Sequence, residues 1–67
     1  MEKYKTLVNI GNTILQGEES ITAKEYQKIT GRAGIYDFYF TDKGGKFVGV
    51  PRETIESEPE FYEKIQG

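Results

Sequence analysis

From Tyr36 to Val50 the chain alternates large apolar residues with small or polar ones at period two, on either side of a glycine turn. Tyr36, Phe38 and Phe40 alternate with Asp37, Tyr39 and Thr41, the pattern of a half-buried strand. Asp42-Lys43-Gly44-Gly45-Lys46 carries turn chemistry, and Phe47-Val48-Gly49-Val50 opens a second strand. The stretch reads as a β-hairpin, and its register follows from the faces. A three-residue loop, Lys43 to Gly45, sets Asp42 opposite Lys46, Phe40 opposite Val48 and Phe38 opposite Val50, all large apolar residues of the set on one side. A two-residue Gly44-Gly45 turn would set Phe40 opposite Gly49 and mix the faces. Because a slip of one residue inverts a strand, the first register is expected. It also places a glycine at the left-handed position of a type I turn with bulge. On the reverse face Tyr39 then lies over Gly49, an aromatic covering a residue with no side chain.

The segments around the hairpin are less uniform. Residues 4 to 16 read as two short strands, Tyr4 to Ile10 and Thr13 to Gln16, about a Gly11-Asn12 turn. A helix with Tyr4, Leu7, Val8, Ile14 and Leu15 on one stripe is the alternative, opposed by Gly-Asn in its middle and by its β-branched residues. Thr22-Ala23-Lys24-Glu25 is a capping box, with Ile21 and Tyr26 at the staple positions. That helix is expected to run to about Thr30 and stop at Gly31, with Ala23, Tyr26 and Ile29 on its apolar face. Pro51 closes the second hairpin strand, since proline cannot donate to a ladder. A second helix is expected from Ser57, with Pro59 and Glu60 in its first turn and Phe61, Tyr62 and Ile65 as its docking stripe. The fold class is α+β in one domain, residues 1–67: antiparallel hairpins with two short helices on one face, in the order ββαββα. If residues 4 to 16 are helical, the order becomes ααββα.

Composition bounds the chemistry. The chain has 67 residues, with no cysteine and no histidine. Disulfides, thiolate chemistry, zinc-thiolate sites and a serine–histidine pair are therefore excluded. Net charge is −2 with both signs interspersed, unlike the basic stripe of a strong nonspecific nucleic-acid binder. No apolar run reaches the roughly 20 residues that span a bilayer and no secretory signal is visible, so a cytoplasmic protein without membrane contact is expected. Glu18-Glu19 and the acids from Glu56 to Glu60 lack calcium-loop spacing, and Lys43-Gly44-Gly45-Lys46 lacks the phosphate-loop signature.

Two local resemblances add to this. Gly34-Ile35-Tyr36, then ten residues, then Phe47-Val48-Gly49 resembles the paired signature of GIY-YIG nucleases, whose tripeptides lie on adjacent antiparallel strands. The resemblance implies metal-assisted phosphodiester cleavage, with Tyr36 assisting proton transfer, Arg52 supporting the phosphate, and Glu60 or Glu63 binding a divalent metal. The chain departs from that pattern at Phe47, which lacks the second motif's hydroxyl, and at Arg52, which lies just past Pro51 where the family places its arginine about a turn or more into a helix. Ile21 to Gly31 is similar to the C-terminal helix of small XkdX-type prophage tail proteins, which implies a phage or mobile-element origin.

The expected function is a non-enzymatic interaction module that binds or inhibits another protein or associates with itself. Catalytic residues, metal and cofactor are not expected. If helices cover only one face of the sheet, Ile35, Tyr39 and Phe47 stay exposed on the other and form an aromatic binding patch. Arg32, Lys43, Lys46 and Arg52 give that patch a basic margin able to meet RNA or single-stranded DNA, the alternative partner, with GIY-YIG-type cleavage as its enzymatic extreme.

The capping box yields a direct test. Thr22→Ala is expected to lower stability by about 1 kcal/mol and Thr22→Ser hardly at all. Equal effects in urea melts would place the helix start elsewhere.

Overall fold

A computed structural model describes residues 2–67. Its elements are β1 (Lys3–Thr6), β2 (Ile21–Thr22), α1 (Ala23–Thr30), β3 (Phe38–Thr41), β4 (Phe47–Val50), α2 (Arg52–Ser57) and β5 (Tyr62–Gln66). The class is α+β, with two short helices and two antiparallel sheets, β1-β5 and β2-β3-β4. The elements run ββαββαβ, but the second strand is Ile21–Thr22 where Thr13–Gln16 was expected, and the second helix ends at Ser57 where one was expected to begin.

The central hairpin has the expected register. Phe38 faces Val50, Tyr39 faces Gly49 and Phe40 faces Val48. The Asp42 amide donates to the Lys46 carbonyl at 3.0 Å, and the Lys46 amide donates to the Asp42 carboxylate at 2.8 Å. Gly45 takes φ 88°, the left-handed position that only glycine occupies cheaply. On one side of this sheet Phe38, Phe40 and Val50 pack with Tyr4, Leu15, Ile55 and Tyr62 into a single core. The Tyr4 ring stands edge-on to Phe38 at 5.2 Å, and Tyr62 lies tilted against Phe40 at 6.0 Å. The β1-β5 sheet is thus laid across the core side of the β2-β3-β4 sheet.

The N-terminal hairpin is smaller than expected. Gly11-Asn12 does turn the chain, but its ladder is one residue pair long, Ile10 with Thr13. The Asn9 carboxamide oxygen accepts from the Leu15 and Gln16 amides and leads the chain away from further pairing. β1 takes other partners. On one edge it pairs with β5, from Lys3 opposite Gln66 to Thr6 opposite Tyr62. On its other edge the Thr6 amide donates to the Glu18 carbonyl, the Gly17 amide to Thr6 and the Ser20 amide to Tyr4. Ser20, buried, also accepts from the Tyr4 amide and marks the corner where the chain passes into β2.

α1 begins as its capping box dictates. The Glu25 amide donates to Thr22 Oγ1 at 3.2 Å, the Thr22 amide donates to Glu25 Oε1 at 3.3 Å, and Gly31 caps the other end at φ 74°. The C-terminal helix expected from Ser57 is not formed. α2 lies before it, running from Arg52 to Ser57 after the Pro51 cap, with Ile55 turned into the core. Pro59 has no amide to continue a helix, and the chain turns through a Phe61 amide to Glu58 carbonyl bond. Tyr62–Gln66 then becomes β5, because the open edge of β1 offers backbone partners that an isolated short helix could not replace. Nor do the helices share a face: α2 contributes Ile55 to the core of Phe38 and Phe40, whereas α1 covers the reverse side through Tyr26.

A fork-to-fork ion pair ties the N-terminal segment to α2. Arg52 Nη1 and Nη2 donate to the two Glu2 carboxylate oxygens at 2.9 and 2.5 Å, and the guanidinium lies over the Phe38 ring at 5.2 Å. The hydrogen bond from Arg52, helped by the charges of Arg52 and Lys64, holds the Glu2 carboxyl below the usual carboxylate range. A depressed folded-state pKa stabilises above the unfolded value, and the gain is lost as pH falls through the folded one. The urea midpoint of the native protein should therefore exceed that of Glu2→Gln at neutral pH, and the gap should close below about pH 4. A gap independent of pH would show that the pair adds nothing beyond its neutral hydrogen bonds.

Candidate functional site

The reverse side of the β2-β3-β4 sheet carries an aromatic cluster. Tyr26 stacks on Tyr39 with centroids 3.9 Å apart and planes 6° from parallel, and meets Phe47 edge-on at 5.1 Å. The Tyr36 amide donates to the Tyr39 hydroxyl at 3.2 Å, and the Tyr36 ring stands edge-on to Tyr39 at 6.1 Å. Offset or edge-on aromatic contacts of this kind add specificity beyond the area they bury.

This cluster corrects the expected binding patch. Tyr39 is only 5% exposed, because Tyr26 of α1 covers it. Phe47 is half-buried and Ile35 is 81% exposed. The aromatic over Gly49 is also not Tyr39. A Cβ on Gly49 would stand 2.2 Å from the Tyr36 ring, so it is Tyr36 that fills the space a side chain would need. Tyr36 precedes β3 and folds back over the sheet, which puts the tyrosine of Gly34-Ile35-Tyr36 directly upon the last residue of Phe47-Val48-Gly49. Gly34–Tyr36 is therefore a connection and not a strand beside β4.

The other expected site residues are dispersed. Arg32 is exposed just beyond the Gly31 cap. Lys43 and Lys46 are exposed at the hairpin turn, where with Asn12 and Ile14 they border an open groove of about 450 Å³. The carboxylate of Asp42 in that groove is occupied by the Lys46 amide. Arg52 sits on the core side, taken up by Glu2 and Phe38, with its own amide donating to Asp37 Oδ2 at 2.9 Å. The seven residues thus fall in separate places: Tyr39 and Phe47 on the α1 side, Ile35 exposed in the connection before β3, the two lysines at the turn, Arg32 after the helix and Arg52 across the sheet.

Two residues outside the expected binding patch are also exposed. Tyr36 is 41% exposed, and Ile29, one turn beyond Tyr26 on α1, is 65% exposed. Ile29 carried a signal, its spacing from Tyr26, but the same spacing had marked it as buried. Among the described residues no group of three or more acidic side chains converges as a metal cage, and no helix is long and apolar enough to cross a membrane. Compared with models of known protein families, with curated proteins and with solved structures, the chain matches none.

The burial of Tyr39 reverses the mutational expectation for that face. Tyr39→Ala should leave the protein largely unfolded, since truncating a buried aromatic costs about 3–5 kcal/mol, comparable to the whole stability of so small a domain. Tyr39→Phe, which loses only the hydroxyl that receives the Tyr36 amide, should cost about 1 kcal/mol. Phe47→Ala should also stay folded, losing about 1 kcal/mol of cross-strand packing. Circular dichroism melts separate these outcomes, and a folded Tyr39→Ala would mean that Tyr26 does not close over it.

Proposed function

We propose that this protein is a small non-enzymatic interaction module that binds or inhibits another protein, of phage or mobile-element origin. The observation that carries this is the partly exposed aromatic cluster on the α1 side, where Tyr36 packs on Tyr39 and Tyr26 meets half-buried Phe47, with Ile29 of α1 and Ile35 of the preceding connection also exposed. Large apolar side chains gathered on one face of a small domain are characteristic of binding sites, with aromatic residues as the anchors. The origin rests on the likeness of Ile21–Gly31 to small prophage tail proteins.

A second reading is nucleic-acid binding at the hairpin turn. It is favoured by Lys43 and Lys46, which border the groove with no carboxylate within ion-pair distance among the described residues. Its enzymatic extreme would use Tyr36, as the GIY-YIG resemblance implies.

The variants Ile29→Ser, Ile35→Ser and Phe47→Ala should keep the melting profile of a folded domain and lose the protein partners that the native chain captures from host lysate. Retention of every partner by all the folded variants would remove the α1-side surface from consideration. In parallel, plasmid DNA and RNA incubated with the protein and magnesium or manganese should remain intact. Cutting that disappears in Tyr36→Phe would replace the interaction-module reading with a nuclease. Oligonucleotide binding that weakens with salt and is lost in Lys43→Ala and Lys46→Ala would favour the second reading.

A further inference from the structure

β4 ends its sheet: the strand order is β2-β3-β4, and among the described residues β4 pairs only with β3. The Asp42 amide to Lys46 carbonyl bond makes Asp42–Lys46 a hydrogen-bonded pair. Alternation along an antiparallel ladder then makes Phe40–Val48 and Phe38–Val50 hydrogen-bonded as well, and leaves Tyr39–Gly49 and Thr41–Phe47 as the pairs between them. The amides and carbonyls of Phe47 and Gly49 therefore point outward from the sheet, and among the described residues no turn or loop supplies them with a partner. Such a row of free donors and acceptors fits one kind of occupant, another extended strand.

We propose that β4 pairs antiparallel with β4 of a second copy of this chain, about a two-fold axis through Val48. This goes beyond the partner-binding function above and does not depend on it. The occupant is argued from how the edge complements itself. An axis through Gly49 would need Pro51, which has no amide and whose carbonyl already accepts from Thr54 and Ile55. An axis through Phe47 would set Gly49 against Gly45, a turn residue whose amide is spent on Asp42. With the axis at Val48, Phe47 of each copy faces Gly49 of the other, and both pairs exchange both of their bonds.

Side chains fit the same register. β4 holds no charged residue, and Lys46 falls opposite Val50 of the second copy, so the two ammoniums stand at opposite ends of the new ladder. Phe47 of the second copy falls across from Gly49, beside the Tyr36 ring that already covers it. Lys46 and Pro51 bracket the strand, which stops pairing from spreading along the chain, and a two-fold contact closes on itself instead of building a fibre. So short an edge buries less than the roughly 1,200 Å² of a stable interface, so the dimer forms only at high protein concentration.

The absence of cysteine makes the register directly readable. At a non-hydrogen-bonded pair on the axis the two Cα atoms lie about 4.5 Å apart, within disulfide reach. Val48→Cys should therefore oxidise to a disulfide dimer, whereas Lys46→Cys, exposed but far from its own image, should remain monomeric under the same conditions. Equal cross-linking of the two variants would overturn the proposal. Amide exchange in the native protein provides the second measurement, should Val48→Cys fail to fold. Exchange at Phe47 and Gly49 should slow as the protein is concentrated, while the Val48 amide, already bonded to Phe40, changes little. Exchange at Phe47 and Gly49 that does not depend on concentration would overturn the proposal, as would concentration-dependent protection confined to β5.

Discussion

Burial of β3 on both faces is the constraint from which the remaining architecture follows. Phe38, Tyr39 and Phe40 are successive residues, each no more than 5% exposed, so apolar cover is needed above and below a single strand. One side recruits Tyr4, Leu15, Ile55 and Tyr62, drawn from four other parts of the chain. On the other side Tyr26 and Tyr36 pack against Tyr39, with Ile21 of β2 opposite it in the sheet. A chain of 67 residues has few large side chains to supply two layers, and burial favours the continuous core. Ile29 and Ile35 are left outside, as are Leu7, Ile14, Phe61 and Ile65 elsewhere on the surface.

Arg52 shows how one side chain can serve several elements at once. It sits at the start of α2, forks onto Glu2, stacks over Phe38 and, through its amide, meets Asp37. Guanidinium is suited to this, since it stays charged, is planar and is less strongly hydrated than an ammonium. Among the described residues, the more distant Lys64 and Tyr4 are the other side chains that hold the Glu2 carboxylate.

Features encoded locally were legible in the sequence. The hairpin register follows from period two and a glycine at the bulge, and the start and stop of α1 follow from Thr22, Glu25 and Gly31. Errors arose where distant partners outbid local signals. Tyr4–Thr6 bond to Gly17–Ser20 and to β5 in preference to Thr13–Gln16, and nothing in their own spacing encodes that choice. Ser57 and Glu60 imitate a helix start, yet a helix has already begun after Pro51, Pro59 cannot extend it, and the turn from Glu58 to Phe61 carries the chain to the edge of β1. For the candidate site, Gly49 correctly announced a covering aromatic, but its identity depended on the chain from Gly34 to Tyr36 folding back, a tertiary fact. Tyr39 lost its exposure for the same reason: period two separates the faces of a strand without saying how many of them are covered.

The pairing of Lys3 with Gln66 has a kinetic consequence. It joins nearly the two ends of the chain, whereas the contacts of β3 with β4 span only a turn. Closing a long loop before any contact rewards it is the slow part of assembly, so β5 should dock last, onto a β1 already held by Gly17–Ser20. By the same logic β5 should be the first element to leave. Its departure would strip Tyr62 from Phe40 while leaving the hairpin and α1 in place, giving the domain a partly open form below global unfolding. Native-state exchange would register that form as β5 amides opening at lower denaturant than those of β3.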